Sequence, residues 1–132
     1  MTRKALGLTA ALVLGVGFTA AVAQVRRPSV PTTLSGPPTP LQLAVRALNE
    51  GRYDEAASLA GKDQFDPSLV AVQARAFIAQ GKYKEAEDVL RPSAQRQPES
   101  DAALELGLLL QMLSRADAAT YLNRVADTAV NA

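Results

Sequence analysis

Two hexapeptides decide how this chain folds: Gly51-Arg52-Tyr53-Asp54-Glu55-Ala56 and Gly81-Lys82-Tyr83-Lys84-Glu85-Ala86. They begin thirty residues apart and share Gly, Tyr, Glu and Ala at identical offsets, with a basic residue second in each. A weaker third copy, Ser114-Arg115-Ala116-Asp117-Ala118-Ala119, comes thirty-three residues later. Self-similarity at a period of about 30–35 residues is the mark of a stacked-repeat architecture. Each hexapeptide lies between two stretches with helical periodicity, so each is the turn of a helical hairpin. Glycine suits that place because a chain reversing between antiparallel helices needs a residue that tolerates positive φ.

The positions around the turns extend the pattern. Ala44, Ala74 and Gly107 stand seven residues before the first residue of each turn, and Ala56, Ala86 and Ala119 close the hexapeptides. Phe77 and Leu110 lie four before the turn, where the first copy has the smaller Ala47, and Pro67 and Pro98 end the first two units. This arrangement resembles the tetratricopeptide repeat over roughly Pro40 to Ala129. The resemblance implies an all-α solenoid of three antiparallel helix pairs in a right-handed stack, with small residues at the helix crossings. The repeats are about 40–66, 67–99 and 100–130. It further implies a non-enzymatic scaffold whose first helices line an inner groove for extended peptides or partner helices. The positions matching the groove are Leu41, Val45, Leu48 and Asn49, then Ala71, Arg75, Ile78 and Ala79, then Leu104, Leu108, Gln111 and Met112. Family members that grip acidic tails carry several cations and asparagines there; only Arg75 and Asn49 stand at these places. The lining suits an apolar or amphipathic segment, with one carboxylate steered to Arg75. Self-association of so few repeats, through the uncapped carboxyl-terminal end, is the competing use of the same residues.

Working outward, Thr39 and Gln42 form a capping box around Pro40 at the first helical position. Asp66-Pro67 and Ser100-Asp101 open the second and third hairpins, and Gly61 reads as a helix stop. Phe65 is expected to fold back over the first hairpin's end. Pro92 is expected to stop or kink its helix near Arg91, because it removes a backbone donor. Glu87 and Arg91 read as a weak pair on an outer face. The last helix should span about Asp117 to Ala129, with Ala119, Leu122, Val125 and Ala126 inward. No polar capping helix comes after it, which suggests a clipped coding sequence or a partner over that end.

The amino end reads as an address. Arg3 and Lys4 precede an apolar, uncharged run from Ala5 to Ala20, and Ala21-Val22-Ala23 offers a small-x-small cleavage site. Cleavage after Ala23 gives a chain starting at Gln24 in the periplasm or secreted; an uncleaved segment of about 20 residues would anchor it in the membrane. Residues 24–39, with Pro28, Pro31, Pro37 and Pro38, read as a stiff proline-rich linker, and the repeat domain occupies 40–132.

Composition narrows the function. The 132 residues include 14 Lys plus Arg and 13 Asp plus Glu; losing Arg3 and Lys4 leaves a net charge of −1. That balance gives no reason to expect nucleic acid or, once the leader is removed, a membrane as partner. There is no cysteine and no histidine, so disulfides, thiol or imidazole catalysis and the usual zinc and haem ligands are excluded. No cofactor is expected. Asp54-Glu55 and Glu85-Glu87-Asp88 read as solvated helix faces, and Ser58 and Lys62 as a chance spacing. A small hydrolase would need a polar pocket that these residues do not assemble. The remaining alternative is the repeat fragment of a longer exported protein whose enzymatic or secretory domain lies outside this sequence.

Overall fold

Gly51 and Gly81 adopt φ of 75° and 73°, the left-handed backbone that a helix reversal demands. At each, the glycine N–H bonds the carbonyl three residues back, Leu48 or Ile78. The next N–H reaches five back, to Ala47 or Phe77. Together these bonds satisfy carbonyls that a helix end leaves orphaned. The third turn repeats the pattern without glycine: Ser114 N–H bonds Gln111 O, Arg115 N–H bonds Leu110 O, and Ser114 holds φ 56°. Left-handed backbone costs an L-residue about 1–2 kcal/mol, of which glycine's larger unfolded-state entropy returns part. Ser114→Gly should therefore stabilise by up to about 1 kcal/mol, raising Tm by several degrees. Ser114→Ala, measured by the same thermal melt, should give no such rise; equal shifts for both would refute the backbone explanation.

The computed structural model describes residues 36–131. The leader, its cleavage site and most of the linker lie outside the described residues. Among the described residues there are six helices: α1 (Pro40–Asn49), α2 (Tyr53–Ala60), α3 (Pro67–Ala79), α4 (Tyr83–Arg96), α5 (Asp101–Met112) and α6 (Ala118–Asn131). No strand is present among them, and adjacent helices pack as an all-α solenoid of three hairpins. The hairpins are α1–α2, α3–α4 and α5–α6. Helix α3 touches α1, α2, α4 and α5, while α5 touches α3, α4 and α6. The first helices α1, α3 and α5 thus form one layer.

Local chemistry sets the helix starts. Thr39 Oγ1 accepts from Gln42 N–H while Thr39 N–H donates to Gln42 Oε1 at 2.9 Å, the reciprocal capping box. The Asp66 carboxylate accepts from the backbone of Ser68 and Leu69 ahead of Pro67, and Ser100 Oγ accepts from Ala103.

The crossings use small residues. Ala44, Ala74, Ala56 and Ala86 are fully buried. At Gly107 a Cβ would sit 2.7 Å from Leu122 Cδ2, so α6 approaches α5 as closely as a bare backbone permits. The third copy differs by one residue: Ala118 is buried, and Ala119 faces solvent, as does Ala126. The chain from Arg115 to Ala118 closes with an i→i+3 bond, where α2 and α4 start with i→i+4 bonds. The tighter turn rotates the chain faster per residue, so the crossing position arrives one residue early.

Two further expectations are corrected. Helix α4 does not stop at Arg91 but runs on through Pro92 to Arg96. Pro92 is exposed, so water can satisfy the carbonyl it leaves unbonded, and buried Leu90, Ser93 and Ala94 hold both halves against the core. Gly61 caps the carboxyl end of α2 as expected, with φ −70° and its N–H on Ala57 O. A Cβ there would meet Gln73 Nε2, the movable end of a side chain, at 2.8 Å and Ala57 O at 3.0 Å. Phe65 does not cover the hairpin end; it is 76% exposed, with the Arg96 guanidinium 5.3 Å over its ring.

Candidate interaction face

The first-helix residues differ from copy to copy in how far the neighbouring helices cover them. In the first copy, Leu41, Val45 and Leu48 are half-buried against a cluster that contains Leu69 and Val72 of α3. Asn49 is exposed beside them. In the second copy, Ala71 is buried at 2% exposure and offers no surface, a correction to its placement in the lining. Ile78 packs half-buried on the cluster holding Leu106, Leu109 and Leu110, and Ala79 is exposed.

Arg75, expected to steer an incoming carboxylate, already has one. Its Nε donates to Glu105 Oε2 at 2.7 Å across the α3–α5 seam. Glu105 is 8% exposed, whereas half of the Arg75 side chain reaches solvent. Ser68 Oγ also donates to Asp101 Oδ2 at 2.7 Å across this seam. The sequence alone missed Glu105, because nothing local ties a residue thirty positions away to Arg75.

The third copy is different. Leu104, Leu108, Gln111 and Met112 occupy the places that Ala71, Arg75, Ile78 and Ala79 hold in the second copy. There α5 engages Arg75 and Ile78, and Ala71 is buried. Here no further hairpin is present among the described residues, so Leu108 is 45% and Met112 53% exposed, with Leu104 half-buried beside them. Spacing of four residues puts these three side chains on one stripe of α5. Of the residues expected to line a groove, Ala71 is buried and Arg75 is paired, Leu41, Val45 and Asn49 line a shallow cavity of about 500 Å³ with Gln42, Arg46 and Glu50, and Leu104, Leu108 and Met112 form an uncovered apolar stripe.

Polar groups elsewhere are engaged in structure. Glu87 and Arg91 are not an outer pair: Arg91 Nε donates to Glu87 Oε1 at 2.7 Å, and Arg91 Nη2 donates to Asp117 Oδ2 at 3.2 Å. These bonds tie α4 to the turn before α6. The Glu87 hydrogen bond, outweighing desolvation and joined by Asp117, raises the Arg91 pKa above the ordinary arginine value. A raised cation pKa contributes stability that is fully present below the unfolded value and is lost only as pH rises through the folded one. This tie therefore persists until strongly alkaline pH. Lys84 pairs with Asp88 at 2.7 Å, Arg52 with Glu50 and Glu55, and Asp54 stands exposed. Ser58 and Lys62 are both exposed.

No family model matches this chain, and searches of curated proteins and of solved structures find no match either. Function is therefore read from the repeat geometry and the side chains it carries.

Proposed function

We propose that this chain is an exported, non-enzymatic scaffold of the tetratricopeptide-repeat type, working in the cell envelope. It binds an apolar or amphipathic segment of another protein on the α5 stripe. The observation that carries this reading is the uncovered run of Leu104, Leu108 and Met112, at positions whose counterparts in the second hairpin are mostly engaged by the next. Large aliphatic side chains of this kind contribute about 1.5–3 kcal/mol each when fully buried, before ordering costs. Arg75 is neutralised by Glu105, so recognition rests on apolar burial.

Capture from an envelope extract tests it, with the full chain tagged at its carboxyl end and Leu108→Glu/Met112→Glu as comparison. Both replaced residues are exposed, so the fold should survive, as circular dichroism would verify. The wild type should retain proteins that the double variant loses; identical capture refutes the assignment. The mass of the same bait reports whether the exported chain begins at Gln24. The uncovered face also fits a longer exported protein whose next hairpin would cover it, which the reading frame beyond Ala132 decides.

A further inference from the structure

The third turn is chemically unlike the first two. Gly51 and Gly81 carry the left-handed backbone there, whereas the third turn gives it to Ser114, at φ 56°. That conformation costs a residue with a side chain free energy that glycine escapes. The flanking residues, Gln111-Met112-Leu113 and Arg115-Ala116-Asp117-Ala118-Ala119, include neither glycine nor proline, and most are good helix formers. Straightened, the turn would join α5 to α6 in one continuous helix and release Ser114 from its strained backbone. Helix α6 is the element that this change would free. Its backbone packs against α5 alone. Ala118 is buried in it, while Tyr121, Leu122 and Val125 are half-buried. The ion pairs that tie the turn to α4, Arg91 with Asp117 and Arg115 with Glu87, are part-solvated and therefore weak holds.

The contacts between α5 and α6 define what the freed helix would meet. Gly107 lies against Leu122, Leu110 shares a cluster with Ala118, and Thr128 Oγ1 donates to Glu99 Oε2 at 3.5 Å. The midpoints of these pairs all fall at residues 113–115, inside the turn itself. Two straightened chains laid antiparallel about a two-fold axis at that point bring α6 of each onto α5 of the other. The register is the one that the closed chain already uses. We infer that the third turn is a hinge for exchange, through which two copies trade α6 and close into a two-fold dimer. The contacts of α6 with α5 are remade in the exchanged form, so the hinge decides the balance. Strain at Ser114 favours exchange, and the mass action of joining two chains opposes it on dilution. The exchange does not call on Leu108 and Met112, which α6 leaves exposed, so it is independent of what binds there.

Size exclusion with light scattering tests this on the purified full chain, held at about 100 µM and then diluted about a hundredfold. A dimer should form and, once diluted, revert slowly, because α6 must leave α5 before it can return. Ser114→Gly should lower the dimer association constant at least about tenfold, and Ser114→Ala should raise it. Ala116 follows the carbonyl that closes the i→i+3 turn, a place that favours proline. In a continuous helix a proline there would clash with the Met112 carbonyl, so Ala116→Pro should abolish the dimer. The chain has no cysteine, so Glu99→Cys/Thr128→Cys, at two exposed sites, can be bridged by a short bis-maleimide. In the closed chain the two sites are neighbours. In the exchanged form they lie about 40 Å apart along one helix, each beside its counterpart in the other copy. On a denaturing gel the isolated dimer should therefore give chains linked in pairs, and the isolated monomer chains linked within themselves. A chain that stays monomeric at every concentration overturns the inference. So does a dimer whose bridges stay within each chain, or one that Ser114→Gly and Ala116→Pro leave undiminished.

Discussion

Leu106→Ala should lower the unfolding free energy by about 2–5 kcal/mol, the largest loss expected from a single substitution in this array. Leu106 is fully buried in the cluster that joins the second and third hairpins, together with Leu90, Leu109, Leu110 and Val70. Most other core positions are alanine, which buries little area and cannot rearrange to fill a void. The seam therefore depends on a few large side chains, and removing one leaves a cavity that the neighbouring alanines cannot fill. Against a total stability of roughly 5–15 kcal/mol for an ordinary domain, such a loss should leave the variant near its unfolding midpoint at moderate temperature. Urea titration followed by circular dichroism measures it. The midpoint should fall sharply with little change in slope; a loss under about 1 kcal/mol would mean the seam is looser than its burial implies.

Arg75→Val should destabilise by about 1–3 kcal/mol, a figure reduced from that of a fully buried pair because half of the Arg75 side chain is solvated. It strands the Glu105 carboxylate, which is nearly excluded from water. Glu105→Val should cost less, since Arg75 can turn outward and hydrate. The double variant should return close to wild-type stability. The reason lies within the chain itself: the corresponding places in the first seam are Val45 and Val72, and Val45 packs on the cluster that contains Val72. The ion pair and the valines are thus two chemical solutions to the same packing problem. A double-mutant cycle by urea titration gives the coupling between the two sites. Additive losses would show that Arg75 and Glu105 act independently, contrary to their 2.7 Å hydrogen bond.

The hairpins were legible because their signals are local. Gly51 and Gly81 carry the backbone conformation of the turn in one residue, and Thr39, Asp66 and Ser100 satisfy helix ends within three residues of themselves. Ser114 takes the glycine's place in the third turn, and the hexapeptide alignment locates that turn even though the residue differs. The interaction face was legible only in part. The resemblance to the tetratricopeptide repeat picked out Leu104, Leu108 and Met112, but it grouped them with Ala71, which is buried, and Arg75, which Glu105 neutralises. Ala119 was misplaced for another reason: an i→i+3 turn advances the helix phase, and no residue type marks that change.

The sequence by itself determined that this is a series of helical hairpins, where they turn, and that imidazole and thiol chemistry are absent from it. Those properties arise from residue identity and from backbone preferences acting over one or two helical turns. Only the tertiary structure decided which apolar stripe stays uncovered, which charge is already paired, and whether a proline ends its helix. Those outcomes depend on side chains 26 to 33 residues distant: Asp117 for Arg91, Glu105 for Arg75, Asp101 for Ser68. Burial and pairing are relations between segments, and they exist only once neighbouring hairpins have stacked.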